Sequence, residues 1–368
     1  MNEQLFILAA APFEAARHVD VLPEGHRSRR LHGHSFVARL RAALPENWVD
    51  FPGDEASFLE RQLAECVGHL DYRLLNEIIN VPTDENIARW VRSRVRDVPG
   101  IDLVGVQSTS NEGADLDELN RAHIWRRFRF EAAHQLPNVP EGHQCGRMHG
   151  HGFEVILHAN QSLGVRDMGI DFDQLEAKWA PLHAQLHLAC LNDIPGLENP
   201  TSEHIARWIW DKLKSDMPEL SWVTVYETVT AGCHYDGQHY RIWKERRFEA
   251  ATRLSHAPEG DPRRSLHGHS YIVRLHLTAP LDELLGWTVD YGDVKSLFKP
   301  AYDQLDHFRL DEIAGMESGN TPSVLRWIRS QMAETLPQLD RIDLYESPGC
   351  GGFLQWGENG PALPADLR

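Results

Sequence analysis

The stretch CGRMHGH, Cys145 to His151, sets a thiol beside two imidazoles spaced i, i+2. In an extended strand successive side chains alternate, so His149 and His151 point to one face. Two neutral imidazoles on that face, joined by a third from a neighbouring strand, would bind Zn2+ and leave one coordination position open. His134, which closes the run FEAAH upstream, is the candidate third ligand, and Gly150 lets backbone approach the site closely. Cys145 is open to several roles, as a further ligand, a nucleophile, a base or an inert buried thiol, and spacing does not choose among them.

The frame around these residues occurs three times: FEAARHVDVLPEGHRSRRLHGHSF from Phe13, FEAAHQLPNVPEGHQCGRMHGHGF from Phe130 and FEAATRLSHAPEGDPRRSLHGHSY from Phe248. A repeat of this length implies tandem domains and not a solenoid of small units. The chemistry does not repeat with the frame. Arg17 and Thr252 stand at the position of His134, and Ser28 and Arg263 at that of Cys145. His18 is displaced by one residue and leaves the face. One metal per chain is therefore expected, with His32, His34, His267 and His269 kept as structural residues bonded across their strand pairs.

Each copy needs elements that hold these groups. FEAA and the run after HGH alternate like half-buried strands. Two helices should follow, in the middle copy from Phe172 to Leu188 and from Thr201, with Thr83, Thr201 and Thr321 as N-caps. Final strands are expected in IDLVGVQST, SWVTVYETV and RIDLYES, with another completing each sheet, as in YDGQHYRIW. ADLDELNRAH and DGQHYRIWKER read as short connections. The reading is α+β: three units at 1–122, 123–242 and 243–368, whose antiparallel sheets share one closed barrel with helices outside.

The 368 residues carry a formal charge of −17, which disfavours a nucleic-acid partner and leaves a small molecule as the expected ligand. The N-terminal segment lacks a basic region before its apolar run, and no stretch is long and apolar enough to span a membrane. Five cysteines without a CxxC pair fit reduced cytoplasmic thiols.

The ordered set FEAAHxLPxVPEGHxCGRxHGH, DFDQL, LNDIPGLENPTSE and ETVTAGC closely resembles the 6-pyruvoyl-tetrahydropterin synthase superfamily, and most of all the bacterial 6-carboxy-5,6,7,8-tetrahydropterin synthases of queuosine and 7-deazapurine biosynthesis. The resemblance implies a T-fold, zinc on His134, His149 and His151, a catalytic Cys145, and a pterin ring anchored by Glu227 with Thr228 beside it. It also implies a pterin triphosphate substrate, 7,8-dihydroneopterin triphosphate. The family's Asp-His pair, in its motif LDH, comes from a neighbouring subunit. Here LDH survives only in the third copy, as Asp306-His307; the middle copy has LHL at Leu186 to Leu188, and the first has Asp71-Tyr72, with Gln107 aligned on the anchoring glutamate. These complementary losses predict a composite site in which the middle copy gives metal, thiol and glutamate and the third gives Asp306 and His307. The role of Glu346 stays open. A homodimer would rebuild the family's hexamer as a pseudo-hexamer. A 6-pyruvoyl product, or a zinc-containing pterin- or purine-binding protein without catalysis, are the alternative readings.

Overall fold

The units of the computed structural model follow one order, except that an isolated bridge between Ala251 and Arg309 replaces a two-residue strand in the third. The structure describes residues 3–45, 48–161, 170–316 and 318–357. The first unit runs β1 (Gln4–Arg17), β2 (His32–Ala42), α1 (Glu55–Gly68), a two-residue β3 (Arg73–Leu74), α2 (Asp84–Arg94), β4 (Ile101–Thr109) and β5 (Glu112–Leu116). The second runs β6 (Ala122–His134), β7 (His149–Gln161), α3 (Phe172–Leu186), a two-residue β8 (Ala189–Cys190), α4 (Ser202–Leu213), β9 (Leu220–Thr228) and β10 (Ala231–Tyr235). The third runs β11 (Tyr240–Thr252), β12 (His267–Thr278), α5 (Tyr291–Leu305), α6 (Thr321–Met332), β13 (Leu339–Ser347) and β14 (Cys350–Gln355).

The twelve longer strands pair antiparallel in one continuous sheet, and β14 pairs back onto β1, Phe6 opposite Phe353, so the barrel closes. Closure removes the edge strands that an isolated unit would expose. Helices cover the outside. Alternate strand residues such as Phe130, Phe153, Val155 and Leu157 pack beneath α3 and α4 in the main core. The same layer carries a threefold signature of stacked rings: Phe13 on Phe36, Phe130 on Phe153 and Phe248 on Tyr271. The opposite face of the strands points into the barrel and is charged but paired: Arg39 with Asp115, Arg241 with Asp340, Arg274 with Glu245, and Arg341 with Asp343. Buried charges are stable in such a place only as pairs, because each lone ion would lose its hydration.

Several local expectations are corrected. The strand completing the middle unit is AGCHY at Ala231–Tyr235; YDGQHYRIW is divided by a turn, and from Tyr240 onward it opens β11. The boundary placed at residue 242 thus falls inside β11. ADLDELNRAH is not all connection, since Ala114 to Leu116 belong to β5 and Ala122 opens β6. Thr83 and Thr201 cap α2 and α4, but α6 is capped by Asn320, whose side chain accepts from the Ser323 N–H. Asn320 competes well at an N-cap, while Thr321 with Pro322 falls into the first turn, where a missing N–H costs nothing. All five cysteines are free.

At one end of the barrel each unit makes the same left-handed turn after its first helix, with φ of 52° at Tyr72, 60° at Leu188 and 64° at His307. The N–H of each donates to a first-strand carbonyl, Glu14, Glu131 and Glu249 respectively, which holds a non-glycine residue in this sparsely populated region. The three side chains are consequently thrust into solvent, each more than three-quarters exposed.

Candidate active site

Strand register brings the three histidines together. β6 and β7 pair with His134 opposite His149 and Ala132 opposite His151. His134 Nδ1 bonds the Pro200 carbonyl at 3.0 Å and His149 Nδ1 bonds the Arg147 carbonyl at 2.7 Å, which fixes the tautomers and turns each Nε2 away. Burial pushes the His134 imidazole down to about 4 and lowers His151, so both are neutral and their lone pairs free. The Nε2 atoms of His134 and His151 are buried with no hydrogen-bond partner. Two orphaned acceptors facing one point are what a cation would satisfy. Glu227, on β9, joins them, with Oε1 3.8 Å from His134 Nε2 and 3.6 Å from His151 Nε2. One ligand atom from each of these four residues lies within 4.8 Å of the others, the one such group among the described residues. The donor set suits zinc: three imidazoles, with a carboxylate at hand.

His149, His151 and Glu227 open into a cavity of about 670 Å³ between the second and third units. Cys145 lines it, on the loop before β7; its N–H donates to His143 Nδ1 at 3.2 Å, and His143 Nε2 lies 3.2 Å from Asp290 of the third unit. Burial pushes the Cys145 thiol up to about 11, with the Glu227 and Asp290 charges adding, so the protein alone keeps it protonated. Burial, then the neighbouring Glu203, pushes Glu227 up to about 7. Thr228 lies at the wall with Lys244 and Lys295.

The third unit does reach this cavity, but with other residues than the Asp-His pair. Trp287, Asp290, Tyr291 and Lys295, around the start of α5, line it. Asp306 and His307 sit at the other end of α5, where Asp306 Oδ2 lies 3.1 Å from His307 Nδ1 and Asp306 accepts the Glu249 N–H. There His307 borders a shallow depression with His267 and His269. Within one chain the structure therefore does not bring Asp306 and His307 to Cys145.

Sequence reasoning missed two features. Glu203, on α4, is a buried carboxyl in the cavity wall, and its Oε1 accepts from the Thr288 backbone N–H at 2.8 Å. The Asp at each first-helix N-cap, Asp54, Asp171 and Asp290, was visible as a repeated acid before the helix but carried no chemical signature. Register also moves one assignment. Val37 pairs Gln107 where Glu154 pairs Tyr226, so Ser108, not Gln107, occupies the position of Glu227. Glu346 holds that position in the third unit, where it accepts from the Thr321 hydroxyl.

The threefold architecture is matched by a family model, one match to each unit. The family model for 6-pyruvoyl tetrahydropterin synthase matches three times, at residues 7–118, 123–238 and 241–355. A 6-carboxy-5,6,7,8-tetrahydropterin synthase of Synechocystis is 44% identical over 120 residues, 30% of this chain and 91% of the relative. A dihydroneopterin monophosphate aldolase of Pyrococcus furiosus is 25% identical over 112 residues, 30% of this chain and 95% of the relative. Among solved structures, the 6-pyruvoyl tetrahydropterin synthase of Caenorhabditis elegans aligns at 23% identity with a TM-score of 0.28, covering 29% of this chain and 89% of that one. With three copies of the domain spanning nearly its whole length, the chain belongs to the 6-pyruvoyl tetrahydropterin synthase family.

Proposed function

We propose that this chain is a zinc-dependent lyase that converts 7,8-dihydroneopterin triphosphate to 6-carboxy-5,6,7,8-tetrahydropterin, a step of queuosine and 7-deazapurine biosynthesis. The observation that carries the reading is the pair of orphaned imidazole nitrogens, on His134 and His151, facing Glu227 in a cavity that also holds Cys145. His134, His149 and His151 would hold the ion. Zinc supplies Lewis-acid polarisation of oxygen, which acidifies the adjacent carbon.

The remaining work belongs to side chains. The half-buried carboxyl of Glu227 and the buried one of Glu203 accept hydrogen bonds from the amino-pyrimidine edge of a pterin, and the low dielectric around them strengthens those bonds. Thr228 borders the same edge. Lys244 and Lys295 at the wall suit the anionic triphosphate. Cys145 moves a proton at the substrate side chain, and an imidazole paired with a carboxylate returns it.

That second group is assigned to Asp306 and His307 of another copy of the chain. Support comes from the barrel end on which His307 lies. Leu31, Tyr72, Met148, Leu188, Leu266 and Phe308 are large apolar side chains exposed there, on the loops before the HGH strands and on the three left-handed turns. Apolar exposure on one end fits a buried face between stacked rings. Incubating zinc-loaded protein with 7,8-dihydroneopterin triphosphate and measuring acetaldehyde, triphosphate and pterin product tests the reading. A pyruvoyl product would select the other synthase reaction; tight binding without turnover would make the chain a pterin-binding protein.

A further inference from the structure

Three equivalent interfaces lie between successive units, and they have met different fates. The second holds the cavity described above. At the interface between the third and first units, Arg263 stands where Cys145 stands, and its guanidinium reaches Asp54 at 2.8 Å and stacks over Phe51. Phe51, Leu254 and Ala257 pack together there, and Gly53 sits so close that an added Cβ would meet Leu254 at 2.8 Å. Pro322 replaces the buried glutamate of the second interface, by the register of the helix caps. This interface is filled with side chains.

The interface between the first and second units has lost its metal set but has not been filled. A cavity of about 570 Å³ remains. On its floor Arg17 takes the place of the first metal ligand: its Nη1 donates to Asp84 at 2.6 Å and to the Pro82 carbonyl at 3.0 Å, and its Nη2 lies 3.2 Å from His34 Nε2. Asp84 also accepts from Ser108, the residue at the position of Glu227. A buried ion pair has therefore taken over the space of a cation and its ligands. The rest of the wall is conserved in kind. Thr83 and Glu85 repeat Thr201 and Glu203, and Asp171 and Phe172 repeat Asp290 and Tyr291. Val19, Leu22, Ile124 and Ile170 give apolar faces, and the polar part of the lining is mixed in sign: Arg30 beside Glu112 and Asp171, with His26 and Arg27 paired to Asp173.

Glu85 is the informative residue. It is 4% exposed, and burial raises its carboxyl above the usual range, so keeping it costs stability at neutral pH. The filled interface has dispensed with its counterpart. A buried acceptor beside apolar walls suits a flat heterocycle that presents ring N–H donors inward. We propose that the cavity between the first and second units is a second, metal-independent and non-catalytic site for an aminopyrimidine-fused heterocycle, the ring class to which the substrate of the first site belongs.

This inference rests on the proposed function for its ligand class, and the test separates the two. Equilibrium dialysis of the zinc-loaded full-length Cys145→Ala variant with 7,8-dihydroneopterin triphosphate should give two bound equivalents per chain. Glu85→Gln and Ser28→Trp, each added to that background, should weaken one of the two at least tenfold, while His149→Ala should affect the other. Ser28→Trp narrows the cavity from a loop and does not depend on the Glu85 helix. One equivalent, lost with His149→Ala and untouched by Glu85→Gln and Ser28→Trp, would overturn the second site and leave the proposed function standing. Two equivalents indifferent to both first-unit variants would likewise overturn it. No binding at all would overturn the proposed function.

Discussion

Arg17→His tests whether one residue separates the metal-free unit from the metal-bearing one. Register places residue 17 opposite His32 just as His134 faces His149, so a new imidazole would complete a set with His32 and His34. The backbone is already arranged for it: the Pro82 carbonyl that takes Arg17 is the counterpart of the Pro200 carbonyl that takes His134, both at 3.0 Å. Without metal the substitution should be harmful, because Asp84, whose side chain is 0% exposed, loses its counter-ion. Breaking a buried pair in this way costs about 3–5 kcal/mol, a fall in Tm of roughly 5 °C for a chain of this size. Metal at about a thousandfold excess over its Kd returns about 4 kcal/mol, enough to offset most of that loss. Mass spectrometry of metal per chain should therefore rise from one ion to two, and thermal melts with and without zinc should diverge far more than in the parent protein. A folded variant that still binds a single ion, with a melt indifferent to zinc, would refute the idea that the first unit differs from the second chiefly by this ion pair.

Three further outcomes follow from the geometry. Cys145→Ala and His307→Ala should each be inactive alone, yet unfolding and refolding them together should restore roughly a quarter of parental turnover, since half the dimers are mixed and each mixed dimer has one intact site; no recovery would refute a site shared between chains. Glu85→Gln should stabilise the protein at pH 8 and have little effect near pH 4, because a carboxyl raised by burial destabilises the fold only as pH climbs through its folded value; equal melts at pH 8 would show that Glu85 carries no such penalty. Burial would raise Asp343 as well, but Arg341 and His276 hold its carboxyl well below the usual range, so its contribution is present above about pH 4 and lost on acidification; Asp343→Ala should cost about 3–5 kcal/mol at pH 7, measured by denaturant unfolding, and flatten the acid limb.

The parts of this molecule that were legible in its sequence are those with a local period. Alternation gave the strands around His134 and His149, a three-histidine set followed from the two-residue spacing, and the triple frame gave a shared sheet. What escaped depended on register and on contacts between units. Ser108 rather than Gln107 stands at the Glu227 position because strand pairing, not residue counting, sets the match. Asn320 caps α6 because a proline follows Thr321. The segment from Trp287 to Lys295 joins the cavity from a different unit, and nothing in its own pattern announces a neighbour. The same holds for His307: its pairing with Asp306 could be read from LDH, but its place on an exposed turn could not.

The seam between β1 and β14 joins residues about 350 positions apart in sequence, with Gln4 opposite Gln355 and Leu8 opposite Gly351. On the ribosome, β1 emerges before β14 and lacks its partner on that side until β14 has been made. While the strands between them are made, β1 keeps an unpaired hydrogen-bonding edge, which is a hazard for off-pathway pairing, and contacts this distant in sequence form slowly. Circular permutants opened at the turn after Leu116 would move the late step to another seam, and their yield on refolding would report how much of the cost belongs to this one.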